Sequence, residues 1–270
     1  MIATPRLEDL HRLAIDVVEK EPARSGKTGW WRPPLMASTT IDDRFGALPD
    51  IAADDHYLPS DLLESATSVI AFFIPFKKAL VLENQKGDRP SRNWGLAYVA
   101  TNDLIGRISR ALDDFLATRG FQSGLTPATH NFDEKKLMAR WSHKHLAHLA
   151  GLGRFGVHHM LITPAGCAGR FGSLVTDADL GNHPLIESET ACLMKAGQEC
   201  GKCIDACPVG AIGPAGFDRR RCWNRLLENK RSLEVLSDLP ASTHVCGKCA
   251  ATMPCSFKNP VENLAVSAEG

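Results

Sequence analysis

Cysteine is the residue type whose spacing points most directly to chemistry in this sequence. The chain has nine cysteines, and none of them precedes Cys167. The other eight are Cys192, Cys200, Cys203, Cys207, Cys222, Cys246, Cys249 and Cys255. Thiolates are soft ligands that suit iron–sulfur clusters, zinc and cuprous copper. The eight clustered thiols therefore predict a metal centre. Cys167 is interpreted as a bystander thiol, with a reactive or cofactor-facing thiol as the alternative.

The run Cys-Gly-Lys-Cys-Ile-Asp-Ala-Cys-Pro, which begins at Cys200, has the Cys-x2-Cys-x3-Cys-Pro spacing of bacterial ferredoxins. Two residues between cysteines let one turn wrap the edge of a cluster, and the proline turns Cys207 towards a second cluster. The alternative is one zinc ion held by the Cys-Gly-Lys-Cys pairs at Cys200 and Cys246. That alternative leaves four cysteines unexplained, so two [4Fe–4S] clusters are the favoured interpretation.

The ligand pairing follows by analogy with ferredoxins. The first cysteine set, for cluster one, is Cys192, Cys200, Cys203 and Cys255. The second cysteine set, for cluster two, is Cys207, Cys222, Cys246 and Cys249. Two ligands are irregular. Seven residues separate Cys192 from Cys200 where the usual gap is two, and Cys255 lies two residues later than the pattern predicts.

The charge composition produces no net electrostatic field that would attract nucleic acid. Lys+Arg and Asp+Glu are both 31, so the formal net charge is zero, and 44% of the residues are hydrophobic. No apolar run approaches the roughly 18 residues that span a bilayer, and residues 1–6 lack the pattern of a secretion signal. We therefore expect a cytoplasmic protein without membrane association, in which thiols stay reduced and bind metal rather than form disulfides.

Strands and helices alternate up to about residue 180, which predicts an α/β or α+β fold. We expect an α/β domain over 1–183, a small double-cluster domain over 184–262 and a flexible tail over 263–270. Apolar periodicity predicts helices at 8–20, 94–116, 133–149 and 218–232, a buried strand at 68–74, and a hairpin formed by the runs 160–163 and 172–176. Pro22 and Gly26 are expected to end the first helix.

Histidines are concentrated just before the predicted hairpin, five of the ten lying between residues 143 and 159. We expect one or more to line a cofactor cavity and pass protons, because histidine titrates near neutral pH. His158 and His159 are favoured since a glycine-rich turn precedes them. The alternative is a set of histidines in ordinary hydrogen bonds.

The glycine-rich turn is formed by Gly151, Gly153 and Gly156. It follows a helix and leads into a strand, the reverse of the order in a dinucleotide fingerprint, so nicotinamide binding is not expected. The glycines are expected to let the backbone approach a large planar ligand or another segment. A basic run, Arg219–Arg231, is either a solvated helix face or a docking patch for an acidic electron donor such as flavodoxin.

Together these features resemble the epoxyqueuosine reductase class, which is related to reductive dehalogenases. The resemblance rests on the double-cluster cysteines, the run Ala150–Gly156 and the two strand-like runs that follow, and it covers roughly residues 65–258. It implies a nitroreductase-like cobalamin-binding domain, with the three glycines near the cofactor, followed by a ferredoxin-like domain. It also implies that electrons flow through the two clusters to a cobalamin.

Several positions depart from the class. Its Gly-Leu-Gly-Trp-x-Gly-Lys-Asn motif ends here in Val157 and His158, and its Asp-Tyr-His corresponds to Asp103-Leu104-Ile105. Asp133 is the nearest candidate for its acidic residue, so it joins His158 and His159 as a candidate catalytic residue. The chain also ends 15 residues after Cys255, without the extension that helps the tRNA-modifying enzymes hold tRNA.

We therefore expect an iron–sulfur oxidoreductase that relays single electrons to a cobalamin and an unknown small-molecule substrate, with tRNA not expected as a substrate. Its electron donor would be a flavodoxin or a ferredoxin reductase. One alternative is a ferredoxin-like electron-transfer protein with no catalytic centre of its own. Another is a redox-sensing cluster protein.

Overall fold

The structure, a computed structural model, describes residues 5–25, 29–129, 132–213, 216–252 and 254–262. The tail predicted for 263–270 lies outside these ranges. Within them, none of the helices has a stretch that is both long and apolar enough to cross a bilayer.

The secondary structure is mixed. The helices are α1 (Leu7–Ser25), α2 (Leu48–Ile51), α3 (Pro59–Leu62), α4 (Lys78–Gln85), α5 (Arg92–Ala117), α6 (His143–Leu149), α7 (Lys202–Asp205) and α8 (Arg219–Ser232). The strands are β1 (Leu35–Thr40), β2 (Ser68–Pro75), β3 (Ser123–Leu125), β4 (Phe132–Asp133), β5 (Met138–Ala139), β6 (Arg154–Phe155), β7 (Leu161–Ile162), β8 (Gly169–Thr176), β9 (Ile212–Gly213) and β10 (Gly216–Phe217). Short 3-10 turns lie at Asp43–Ala47, Glu234–Leu236 and Cys249–Ala251.

Tertiary packing divides the chain into two compact units, each assembled from separate stretches of sequence. Unit 1 consists of residues 1–74, 102–152 and 170–187, and unit 2 consists of residues 75–101, 153–169 and 188–270. The boundary expected at residues 183 and 184 lies close to the break between Glu187 and Ser188. The unit that carries the cysteines, however, also takes in two stretches from well before that boundary.

Unit 1 is built on a four-stranded sheet with the order β1-β2-β8-β3. Strand β2 is buried along its whole length, which confirms the strand predicted from the apolar run 68–74. Strand β1 pairs antiparallel with β2, and β3 pairs antiparallel with β8. The fold is thus a mixed α/β fold with the most apolar strand in an interior position of the sheet.

The core of unit 1 includes a cluster around Trp141, which is 1% exposed. Its buried members are Phe45, Leu48, Val69, Trp141, Leu146 and Val175. The indole N–H of Trp141 donates to Ser173 Oγ at 3.0 Å, and the same hydroxyl lies 2.8 Å from His143 Nδ1. Complete burial lowers the pKa of His143 to about 4, so this histidine is a neutral member of the core.

Two predicted helices differ in extent. The helix predicted for 94–116 is confirmed as α5, and Gly120, with φ +83°, follows its end in the left-handed conformation. Helix α1 is longer than predicted, because it continues through Pro22 to Ser25.

The helix predicted for 133–149 is wrong in its first half. Asp133 Oδ1 accepts the backbone N–H groups of Lys135 and Lys136, and Leu137 has a φ of +57°. This local hydrogen bonding competes with helix formation and makes the hairpin of β4 and β5 instead. Only α6 remains of the predicted helix.

The hairpin predicted from the runs 160–163 and 172–176 is also wrong. Strand β7 pairs with β6, and β8 joins the large sheet between β2 and β3. Apolar alternation identifies strands but does not select their partners, since pairing depends on residues distant in sequence.

We predict that Gly172→Ala destabilises the protein by about 1–3 kcal/mol, the usual cost of overpacking a core. A Cβ at Gly172 would meet the ring of Phe72 and lie 2.8 Å from Ile105 Cγ2. Gly46→Ala is the matched control, because a Cβ there meets nothing within 4 Å. Chemical denaturation measures both free energies of unfolding, and equal values would contradict the packing described for β8.

Candidate metal centre

The first cysteine set lines one cavity in unit 2. Cys192, Cys200, Cys203 and Cys255 all contribute to its wall, and about 360 Å³ of the cavity is free of protein atoms, part of it open to solvent. Burial, and then the charges of the other three thiols, raise the pKa of Cys203 to about 12. The sulfurs are therefore close enough to oppose one another's ionisation. A bound metal would supply the positive charge that lets all four ionise.

The second cysteine set shows the same electrostatic signature. Burial raises the pKa of Cys249, followed by the charges of Cys246, Cys222 and Cys207. The backbone N–H of Ala211 donates to Cys207 Sγ at 3.2 Å. These neighbours of Cys249 belong to the set expected from the ferredoxin analogy, and Cys203 of the first set adds a smaller effect. Their assignment as cluster ligands stays a prediction.

The Cys-Gly-Lys-Cys loop of the second set is anchored to the C-terminal end of α4. Lys248 Nζ donates to the carbonyl oxygens of Asn84 at 2.5 Å and Lys86 at 2.8 Å, and Asn84 Nδ2 donates to the carbonyl of Cys246 at 3.0 Å. Cations and donors suit helix C-termini, where carbonyl groups lack intrahelical partners. Sequence analysis missed this contact because more than 160 residues separate its partners.

Glycine is required inside the same loop. Gly247 has a φ of +72°, and a Cβ at this position would fall on the indole of Trp94. Only glycine combines this left-handed backbone with so close an approach.

Backbone pairing fixes the position of Cys255, the irregular member of the first set. The N–H of Cys167 donates to the carbonyl of Cys255 at 2.9 Å, and the N–H of Ala168 donates to Ser256 at 3.2 Å. Gly166 makes this approach feasible. Its φ is +87°, and a Cβ would overlap the backbone of Ser256. A cysteine that departs from the ferredoxin spacing is thus held by a segment about 90 residues earlier in the chain.

Cys255 has two polar neighbours that sequence analysis did not connect with it. His158 Nε2 lies 3.7 Å from Cys255 Sγ and 3.7 Å from Cys167 Sγ, and the three ligand atoms all lie within 4.8 Å of one another. The neighbouring Cys167 thiol, with a smaller effect of His158, lowers the pKa of Cys255 to about 5. The same contact and complete burial raise the pKa of Cys167.

The other candidate catalytic residues have structural contacts. His159 has a φ of +56° and stacks on Phe217 with ring centroids 5.1 Å apart. Asp133 lies in unit 1 at the β4–β5 turn, where the N–H groups of Lys136 and Lys135 lower its pKa. Catalytic roles for His158, His159 and Asp133 stay predictions.

The three glycines proposed to contact a cofactor are packed against this chain. A Cβ at Gly151 would lie 2.5 Å from Pro184 Cβ, and one at Gly153 would lie 2.7 Å from the carbonyl oxygen of Ile162. A Cβ at Gly156 would lie 2.7 Å from His158 Cε1. Of the two roles considered for these glycines, the close approach of another segment is therefore the one visible in their contacts.

The basic run is helix α8, which confirms the helix predicted there. Asp218 caps it by accepting the N–H of Arg221 at 2.8 Å. Arg225 is buried and pairs with Asp88, while Lys230 donates to three backbone carbonyls. Arg219, Arg220, Arg221 and Arg231 are exposed. The run therefore divides into structural cations and an exposed basic face.

Sequence comparison finds one curated relative, and no protein-family model matches the chain. The relative is the epoxyqueuosine reductase of Bacillus subtilis (strain 168), which is 25% identical over 218 residues. The match covers 76% of this chain and 51% of the relative, so the chain spans about half the length of the curated protein that it matches.

Structural comparison finds the same class. The structure of the Bacillus subtilis epoxyqueuosine reductase aligns with a TM-score of 0.53 and 18% identity, covering 91% of this chain and 66% of that one. A catabolic reductive dehalogenase aligns with a TM-score of 0.55 and 14% identity, covering 87% of this chain and 31% of that one. At these identities the structural likeness establishes the fold, and the relatives that share it are reductases.

We predict that Gly166→Ala displaces the segment that carries Cys255. The substitution combines a left-handed backbone, which costs about 1–2 kcal/mol outside glycine, with a clash against backbone atoms, which costs about 1–3 kcal/mol. Gly213→Ala in the same unit is the control, because a Cβ there has open space. Chemical denaturation should show a loss of about 2–5 kcal/mol for the first variant only. Equal stability of the two variants would contradict the described pairing.

Proposed function

We propose that this chain, a relative of the epoxyqueuosine reductase and reductive dehalogenase class, is an iron–sulfur oxidoreductase that relays single electrons through two [4Fe–4S] clusters. The observation that carries the proposal is the presence of two groups of four mutually interacting cysteine sulfurs, one of which lines a single cavity. Four cysteine thiolates are the usual ligands of such a cluster.

The residues present fit two clusters. The first cysteine set would hold cluster one, and the second set would hold cluster two. Each cluster, when bound, accepts and releases one electron at a time. The protein's own part is to bury the sulfurs, to direct N–H groups such as that of Ala211 at them, and to anchor the ligand loops.

Cobalamin is proposed from the resemblance alone. Gly151 and Gly153 are two of the glycines expected to approach it. The space beside each of them is filled by this chain's own atoms. These glycines do not form a surface for a corrin, so no step is derived through cobalamin. It remains the electron acceptor that the class suggests, and it requires its own experiment.

Two candidate substrates follow from different observations. A small molecule is proposed because the chain has no net charge to attract nucleic acid. Epoxyqueuosine in tRNA is the second candidate, favoured by the curated relative. This relationship weakens the expectation, stated from the sequence, that tRNA is not a substrate.

The exposed basic face of α8 is proposed as the docking surface for an acidic electron donor of the flavodoxin type. Charge complementarity accelerates such encounters and makes them sensitive to salt. The alternatives, an electron carrier without a catalytic centre and a redox sensor, share the clusters but require no substrate turnover.

Cluster loading tests the ligand assignment. After anaerobic reconstitution the wild-type protein should contain about eight iron and eight sulfide per chain, since two [4Fe–4S] clusters hold that number. Cys203→Ser and Cys249→Ser should each retain about half, because they belong to different sets. Cys167→Ala is the matched control and should retain both clusters. Zinc without sulfide in the wild-type protein would refute the proposal.

Corrinoid retention tests the proposed acceptor. The cluster-loaded protein is incubated with cobalamin, separated from free ligand by gel filtration, and assayed by its absorbance. Co-elution at about one corrinoid per chain is expected for a one-site cofactor. Full cluster loading without corrinoid would reject cobalamin while leaving the iron–sulfur assignment intact. Reduction assays with a modified tRNA stem loop and with small organic halides then separate the substrate classes.

A further inference from the structure

His158 is a buried side chain whose ring orientation is fixed by its own turn. It is 3% exposed, and it lies between Gly156 and Met160, whose backbone groups hydrogen-bond at 3.0 Å. The N–H of Met160 donates to His158 Nδ1 at 3.1 Å. One ring nitrogen is therefore used within the turn, and the other, Nε2, faces the sulfurs of Cys255 and Cys167.

This contact also determines the tautomer. Because Nδ1 accepts a hydrogen bond, a neutral imidazole must carry its proton on Nε2. The Nε2–H group then points at Cys255 Sγ and Cys167 Sγ, each 3.7 Å away, within the longer range of hydrogen bonds to sulfur.

Gly156 keeps the ring in this position. A Cβ added there would lie 2.7 Å from His158 Cε1 and 2.9 Å from Nδ1. Any larger residue would push the imidazole out of the place that the Met160 contact defines. The absence of a side chain at Gly156 and the hydrogen bond from Met160 together fix the position of the His158 ring.

We propose that His158 is a positioning residue that donates its Nε2–H to the Cys255 sulfur and thereby raises the reduction potential of cluster one. The inference rests on the proposed function, because it assumes that Cys255 is a ligand of that cluster. Reduction adds negative charge to the cluster and its thiolates. A hydrogen bond to a ligand sulfur stabilises the reduced form more than the oxidised one, so the potential rises.

The same three residues have the composition of a mononuclear His/Cys/Cys metal site, since their ligand atoms lie within 4.8 Å of one another. Two observations favour the hydrogen bond. Cys255 also lines the cavity shared by Cys192, Cys200 and Cys203. In addition, a metal on Nε2 would replace the proton that the Met160 contact places there. The experiment distinguishes the two arrangements.

The test is a potentiometric titration of the full chain after anaerobic cluster loading, followed by EPR. His158→Leu should lower the midpoint potential of one cluster, with about a tenfold shift in its reduction equilibrium, or 59 mV for one electron. His158→Gln should restore most of that shift, because its amide N–H reaches the place of Nε2–H. His183→Leu, the matched control, changes an exposed histidine in unit 1 and should leave both potentials unchanged.

Gly156→Ala provides an independent variant that leaves the histidine in the sequence. It should lower the same potential as His158→Leu, because the added Cβ displaces the ring from the sulfurs. This variant keeps the inference falsifiable if His158→Leu does not fold.

Three outcomes would overturn the inference. The first is full iron and sulfide in His158→Leu with both potentials unchanged. The second is the loss of one cluster in both His158→Leu and His158→Gln, which would make His158 a ligand. The third is about one zinc per wild-type chain that His158→Leu removes. Failure of the proposed function is seen separately, as a wild-type protein that binds no iron and sulfide at all.

Discussion

The mutual repulsion of buried sulfur charges is the constraint on which this structure depends. Burial, and then the charges of neighbouring thiols, raise the pKa of Cys203 in the first cysteine set and of Cys249 in the second, so a full set of thiolates is stable only with a cation among them. The protein holds the sulfurs together through contacts that do not involve sulfur. Lys248 binds the end of α4, and the segment at Gly166 pairs with the backbone at Cys255. The ligand loops are thus anchored independently of what they bind.

What the sequence predicted correctly depends on local patterns. Strand β2, helix α5 and helix α8 follow from apolar runs, periodicity and capping residues that lie within each element. The grouping of the cysteines, which stays a prediction, also rests on spacing that is local for all but Cys192 and Cys255. The wrong predictions concern two elements. In one, a local hydrogen bond competes with the helix, and in the other, a strand pairs with strands that are distant in sequence. The side chain of Asp133 formed a turn in place of a helix, and β8 paired with strands far from it in sequence.

The least predictable part of the site is the neighbourhood of Cys255. Neither the spacing nor the resemblance brings Cys167 and His158 to its sulfur, because no motif joins residues that are about 90 positions apart. A tight turn and a pair of backbone hydrogen bonds make that connection. Relatives of 25% identity or less show that the chain is related to this class, and they establish its fold. The roles of residues that differ from the class, such as His158, have to be inferred from the contacts that they make in this structure.

The assembly of unit 2 from three separate stretches has a consequence for biosynthesis. Residues 75–101 leave the ribosome long before the cysteine loops that they hold, since 164 positions separate Asn84 from Lys248. Domains generally fold as units once their residues are available. The carbonyl groups at the end of α4 must therefore stay hydrated until the loop that carries Lys248 has been synthesised. Insertion of the proposed metal centres would accordingly follow synthesis of that loop, and the eight thiols of the two cysteine sets would have to stay reduced until then.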